Sequence, residues 1–239
     1  MTFRTIIPNV FTALNLLSGF AAIMIMLVGE KMEYAFLAII VAAVFDVLDG
    51  LLARLLKGTS DFGRQFDSMA DLISFGFAPA FLMLHTTFFL QFSDNLNEIV
   101  IGVLPSAIFL LAVSIRLAWF NADKSQTNDF RGLASPGAAL ALTALMFDYQ
   151  SWFYEAEYNM LYIAFLFAAL MLVPVRVMSL KVSGSKWHKI FVLVMILVSV
   201  VLLILRSPES LWIIVLVYYL AGILMYQLSQ KFNKPKVNV

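Results

Sequence analysis

Long apolar runs broken by short charged stretches dominate the chain. A bilayer core takes about 20 apolar residues per helix. The pattern supplies eight runs of roughly that size, near residues 6–28, 33–56, 65–90, 98–120, 136–153, 158–179, 188–205 and 209–229. Asp148, Gln150 and Glu155 blur the end of the fifth, and Pro105 and Pro174 predict kinks in the fourth and sixth. The expected fold is therefore all-α: a polytopic membrane helix bundle of about eight transmembrane helices. With no internal repeat, low-complexity tract or long linker, residues 1–239 read as a single integral membrane domain. The first run follows one Arg and lacks a small-residue cleavage site, so it reads as a retained helix rather than a signal peptide.

Composition agrees with this. Hydrophobic residues make up 62% of the chain and charged residues 13%, against about 45–50% and about 25% in soluble domains. A net charge of +1 gives no footing for a nucleic-acid partner. The absence of cysteine excludes disulfides, thiol chemistry and thiolate metal sites. Cationic residues follow the positive-inside pattern: 14 of the 16 Lys and Arg fall in alternate loops, leaving only Lys31 and Arg206 on the other side. That split predicts an even helix count and both termini in the cytoplasm; the expected location is the cytoplasmic (inner) membrane.

Ionisable groups inside spans cost roughly 2.5–3.5 kcal/mol each on insertion scales and mark functional sites. Here they are concentrated. Asp46 and Asp49 close the second run, and Asp67 and Asp71 open the third. Spacings of i,i+3 and i,i+4 put each pair on one helix face. The two helices run in opposite directions, so at ~1.5 Å per residue the pairs reach similar depth, just inside the cytoplasmic interface. Four facing carboxylates repel one another, and two divalent cations would cancel their charge. All-oxygen ligation favours Mg²⁺ or Mn²⁺ over zinc. Gly50 and Ala53 leave the helix bare beside the acids, and Arg54 follows at the membrane edge. Metals, a bare docking surface and a cation together suit a diphosphate-containing substrate. The bland alternative is four interfacial acids snorkelling to water or paired with Arg54 and Arg64.

The run Asp46-x2-Asp49-Gly50-x2-Ala53-Arg54-x8-Gly63-x3-Asp67-x3-Asp71 resembles the full signature of the CDP-alcohol phosphotransferases, with eight fixed positions over 26 residues. The resemblance implies a six-helix core (about residues 6–180), two further helices (about 188–229), two metals per active site and a homodimer. It implies that Asp46, Asp49 and Asp67 bind one metal and that Asp46, Asp67 and Asp71 bind the second. Asp71 would also be the general base that takes the acceptor's hydroxyl proton during attack on the β-phosphorus, releasing CMP. The cytidine nucleotide of CDP-diacylglycerol would lie over Gly50 and Ala53, near Arg54 and Ser60. Pro8-Asn9-Val10-Phe11-Thr12 resembles the family's further nucleotide-contacting segment, through Asn9 and Thr12.

The acceptor side lies later in the chain. Arg116-Leu-Ala-Trp119-Phe-Asn121 and Phe130-Arg131-Gly-Leu-Ala134-Ser135-Pro136 are similar to the pattern of the membrane-embedded phosphatidylserine synthases within that family. That pattern has Arg where Trp119 stands and Pro where Ala134 stands. L-serine makes chemical sense as acceptor: Arg116 or Arg131 could grip its carboxylate bidentately, and Asn121 or Ser135 could orient its ammonium. The same chemistry on glycerol 3-phosphate, inositol phosphate or ethanolamine is the nearest alternative. A divalent-cation transporter is the alternative from another class. His85 reads as a packing or interfacial residue and His188 as a membrane-surface anchor, while Arg176 and Lys181 carry no assigned role.

Overall fold

The computed structural model describes residues 3–88, 96–122, 130–149, 152–153, 158–177 and 211–232. Two long apolar helices, α1 (Phe3–Gly29) and α2 (Met32–Leu55), form an antiparallel hairpin and pack along each other's length. Their tight link passes through Glu30, which adopts a left-handed backbone conformation. After a loop over residues 56–60, Ser60 takes extended backbone geometry and its Oγ accepts a hydrogen bond from Gly63 N at 3.0 Å. That cap starts α3 (Asp61–Asp71). Without leaving the helical path, α3 runs into a π-helical turn (Leu72–Phe77) and then α4 (Ala78–Phe88). The third expected span is thus one rod whose hydrogen-bonding register changes immediately after Asp71.

The fourth span is α5 (Leu96–Ala122), which stays helical through Pro105. A two-residue strand, β1 (Phe130–Arg131), precedes α6 (Ser135–Asp148); α7 (Asn159–Leu172) leads to β2 (Arg176–Val177), and α8 (Leu211–Phe232) is the last described element. Among the described residues, four helical segments are long and apolar enough to cross a membrane: Phe3–Gly29, Met32–Leu55, Asp61–Thr87 and Gly102–Ala122. The protein is a multi-pass, all-α membrane bundle. The seventh expected span, near 188–205, lies outside the described residues.

Two expectations are corrected. Both α6 and α7 have 14 residues, about 21 Å each at the α-helical rise, so the fifth and sixth spans are shorter than the apolar pattern implied. Pro174 ends its helix instead of kinking it. The preceding residue, Val173, is extended, as a residue before proline prefers. The freed chain then pairs β2 antiparallel with β1, Arg131 opposite Arg176.

α6 occupies the middle of the bundle. Ala138, Ala139, Ala141, Leu142 and Ala144 are all fully buried, which explains a helix that is apolar all round rather than on one face. Small residues let the helices approach closely in a setting where water does not drive them together. Gly19 is the extreme instance: a Cβ there would run into Ser74 Oγ and the Ser74 main chain. Gly132, with φ +67, needs the left-handed region and lies against the carbonyl of Met171.

Gly19→Ala is therefore expected to lower the thermal-unfolding midpoint in detergent by several degrees. Gly29→Ala, whose added Cβ meets only ordinary contact with Lys31, should be neutral within a degree or so, on the order of surface substitutions. Equal midpoints for the two variants would contradict the close α1–π-turn contact.

Candidate functional site

The two aspartate pairs meet where α2 ends and α3 begins. One carboxylate oxygen from each of Asp46, Asp49 and Asp67 can be chosen so that all three lie within 4.8 Å of one another. Asp71, one turn further along α3, faces Asp46. Asp49 is buried, while Asp46 and Asp67 are partly exposed. The buried Oδ1 of Asp67 has no hydrogen-bond partner. Snorkelling or pairing with arginine does not describe this cluster: Arg54 is exposed, and Arg64 points outward to Asp61 Oδ1 at 3.4 Å. Convergent oxygens, an orphaned buried acceptor and incompletely compensated negative charge fit a divalent cation.

The first helix supplies hydrogen-bond donors. Thr12 Oγ1 lies 2.8 Å from Asp49 Oδ2, closer than its alternative acceptor, the Pro8 carbonyl at 3.2 Å. One turn on, Asn15 Nδ2 donates to Asp71 Oδ1 at 3.1 Å. Thus α1 touches one acid of each pair. The sequence pattern marks Thr12 and assigns Asn15 no role. The available signal was modest: a lone amide in an apolar run, three residues after Thr12 and so on the same helix face.

Beside the acids is a cavity of about 580 Å³. Asn9, Thr12, Gly50, Ala53, Arg54 and Ser60, the six residues expected to contact nucleotide, all line it, together with Asp49 and Asp67. At Gly50 an added Cβ would meet nothing within 4 Å, so the bare helix surface faces open space. At Gly63 a Cβ would lie 3.0 Å from Asn9 Oδ1 and 3.1 Å from Ser60 Oγ, a tight fit that glycine relieves where α3 approaches α1. The cavity combines cationic side chains, a carboxylate cluster and a flat wall, which suits a nucleoside diphosphate bridged by cations.

The four expected acceptor residues divide. Arg116 and Ser135 come together: Nη1 donates to Ser135 Oγ at 3.1 Å, and the buried Nε has no partner. Arg116 is also within electrostatic reach of Asp71. Asn121 instead engages Ser68 on α3, with Nδ2 to Oγ at 2.8 Å. Arg131 is on β1 opposite Arg176; its side chain is outside the described residues. Arg176 donates to Tyr226 OH on α8 at 3.0 Å. Away from the acids, the His85 ring packs against Phe81 with centroids 6.3 Å apart, as a packing residue would. His188 and Lys181 lie outside the described residues.

The profile of the family described as CDP-alcohol phosphatidyltransferase matches residues 5–175, which include every residue of this site. A CDP-diacylglycerol–serine O-phosphatidyltransferase of Helicobacter pylori (strain ATCC 700392 / 26695) is 33% identical over 238 residues, covering 96% of this chain and 95% of the relative. A protein of the same name from Methanocaldococcus jannaschii is 30% identical and covers 92% of this chain and 94% of the relative. One from Bacillus subtilis (strain 168) is 34% identical over 144 residues, 60% of this chain and 76% of the relative.

If like-charge repulsion governs the cluster, Asp67→Asn should raise the thermal midpoint of the metal-free protein. It should also abolish the rise that Mn²⁺ or Mg²⁺ produces in the unsubstituted protein, since only a ligand bound to the folded state stabilises it. An undiminished cation-dependent rise in the variant would remove Asp67 from the metal site.

Proposed function

The chain belongs to the CDP-alcohol phosphatidyltransferase family, and we propose that it transfers the phosphatidyl group of CDP-diacylglycerol to L-serine, giving phosphatidylserine and CMP. One observation carries this reading: the cavity lined by all six nucleotide candidates shares Asp49 and Asp67 with the carboxylate cluster. Binding surface and reactive centre are thereby continuous. The names of relatives that align along nearly the whole chain support serine as the acceptor.

In this reading Asp46, Asp49, Asp67 and Asp71 hold two divalent cations, Mg²⁺ or Mn²⁺. When bound, such ions neutralise the diphosphate and favour departure of CMP. The cytidine nucleotide lies over Gly50 and Ala53, with Asn9, Thr12, Arg54 and Ser60 around it. Asp71 accepts the proton of the serine hydroxyl as that oxygen bonds to the β-phosphorus and the bond to the CMP oxygen breaks. Arg116 keeps Nη1 on Ser135, so its Nε–Nη2 edge is the one available to grip the serine carboxylate. Ser135 or Asn121 would orient the ammonium, and Arg131 is the alternative to Arg116 for the carboxylate.

The cationic loops support an active site facing the cytoplasm, both termini on that side, and location in the inner membrane. The family resemblance supports a homodimer, and one domain with its core at about 6–180 and two added helices at about 188–229.

The test is a mass-spectrometric assay of purified protein with CDP-diacylglycerol, Mn²⁺ or Mg²⁺, and a mixture of serine, glycerol 3-phosphate, inositol phosphate and ethanolamine. Phosphatidylserine with stoichiometric CMP is expected. A different phospholipid would overturn the serine assignment, and no CMP at all would overturn the enzyme reading. Asp71→Asn should still bind CDP-diacylglycerol while turnover drops by ~10²–10⁴-fold, the usual cost of removing a general base; near-normal turnover would sink that role. Gly50→Val should keep its thermal stability, because its side chain enters open space, yet lose at least ~10-fold in CMP affinity. Undiminished CMP binding would place the nucleotide elsewhere.

A further inference from the structure

We infer that Asn15 is a positioning residue for the reaction, holding the Asp71 carboxyl in its working orientation. This rests on Asp71 being the general base of the proposed function. Asn15 lies in mid-helix on α1 with no solvent exposure. An amide there is costly unless it is paired, and leucine would fill an apolar position more cheaply. What the amide adds is a donor: Nδ2 to Asp71 Oδ1 at 3.1 Å.

The Asn15 main chain is held by a second contact, while the buried side-chain Oδ1 has no hydrogen-bond partner. Ser74 Oγ donates to the Asn15 carbonyl at 2.9 Å, and the missing side chain of Gly19 leaves room for Ser74 to come that close. Asp71 and Ser74 lie on either side of the start of the π-helical turn at Leu72. Asn15 therefore grips the third rod through both its side chain and its main chain, on both sides of the register change. With Oδ1 of Asp71 tied to Asn15, rotation about the carboxyl is restrained. Thr12 makes the corresponding contact with Asp49, the other acid pair, so the two donors divide the work between nucleotide side and acceptor side.

The experiment begins with the unsubstituted full-length protein: CMP release with phosphatidylserine establishes the underlying reaction, and its absence would defeat the proposed function rather than this role. Asn15→Leu then removes the donor while preserving volume and apolarity. Its kcat is expected to fall ~10–10²-fold, the scale of a small misplacement of a reacting group. The KM for CDP-diacylglycerol and the Mn²⁺-dependent rise in thermal midpoint should change less than about threefold and by no more than a degree or two, on the scale of neutral substitutions. Introduced into Asp71→Asn, the same substitution should cost nothing further, because Asn15 acts through that carboxylate. A normal kcat in Asn15→Leu, or the same loss repeated in full on the Asp71→Asn background, would overturn the inference. Should the leucine variant fail to elute as a single species, Asn15→Ala is read by the same two criteria.

Discussion

Carboxylates placed inside an apolar bundle must be held and compensated, and the architecture where α2 ends and α3 begins follows from that requirement. Each acid costs roughly 2.5–3.5 kcal/mol to insert, and three of them converge within 4.8 Å. The protein offers limited relief: a hydroxyl from Thr12, an amide from Asn15, and a guanidinium, Arg116, close to Asp71. Asp67 Oδ1 is left without any partner. A site so incompletely satisfied from within has room for cations to supply the balance, and its stability is therefore linked to their presence.

Helix α1 sets the separation of the two acid-bearing helices. It packs along α2 and touches α3 and the π-turn on the same side. Close approach depends on Gly19, where Ser74 reaches the Asn15 carbonyl, and is eased by Gly63, where α3 passes Asn9. The donors at positions 12 and 15 are therefore presented at fixed depth. A π-turn next to reactive residues is a recurrent device for changing the direction of side chains within a continuous helix. Here it begins at the residue after Asp71 and lets one rod carry two acids at one end and an apolar core surface at the other.

Much of this was readable from residue pattern. Apolar runs located the long helices, because nothing but a bilayer accommodates them. The spacing of Asp46, Asp49, Asp67 and Asp71 placed the acids on facing surfaces, and the bare step at Gly50 and Ala53 anticipated the cavity wall. What escaped depends on tertiary partners. Hydropathy does not report where a helix stops, so the fifth and sixth apolar runs extend beyond α6 and α7. The β1–β2 pair depends on Pro174 stopping a helix that the apolar pattern would continue. Asn15 and Ser68 gain meaning only when Asp71 and Asn121 are seen beside them. The acceptor residues were the least legible, since Arg116 and Ser135 are 19 positions apart and meet only because α6 enters the bundle centre.

The packing on the far side of the acids bears on what kind of site this is. A path for a transported cation needs polar groups continuing through the membrane, because unsatisfied charge and lone backbone groups are not tolerated in hydrocarbon. Beyond Asp71 the same rod presents Phe75, Ala78, Leu82 and Met83, all fully buried, to an apolar cluster that also holds Ala22 and Met26 of α1 and Ala35 and Ile39 of α2. The hydroxyls of Thr86 and Thr143, also buried, are turned back on carbonyls of their own helices. Asp49 and Asp67 line the cavity that the nucleotide candidates also line. Among the described residues the core behind the acids is largely apolar, which favours chemistry over passage. A lipid-linked nucleotide can present its diphosphate from the membrane edge, and a small polar alcohol can reach the same carboxylates without crossing the bilayer.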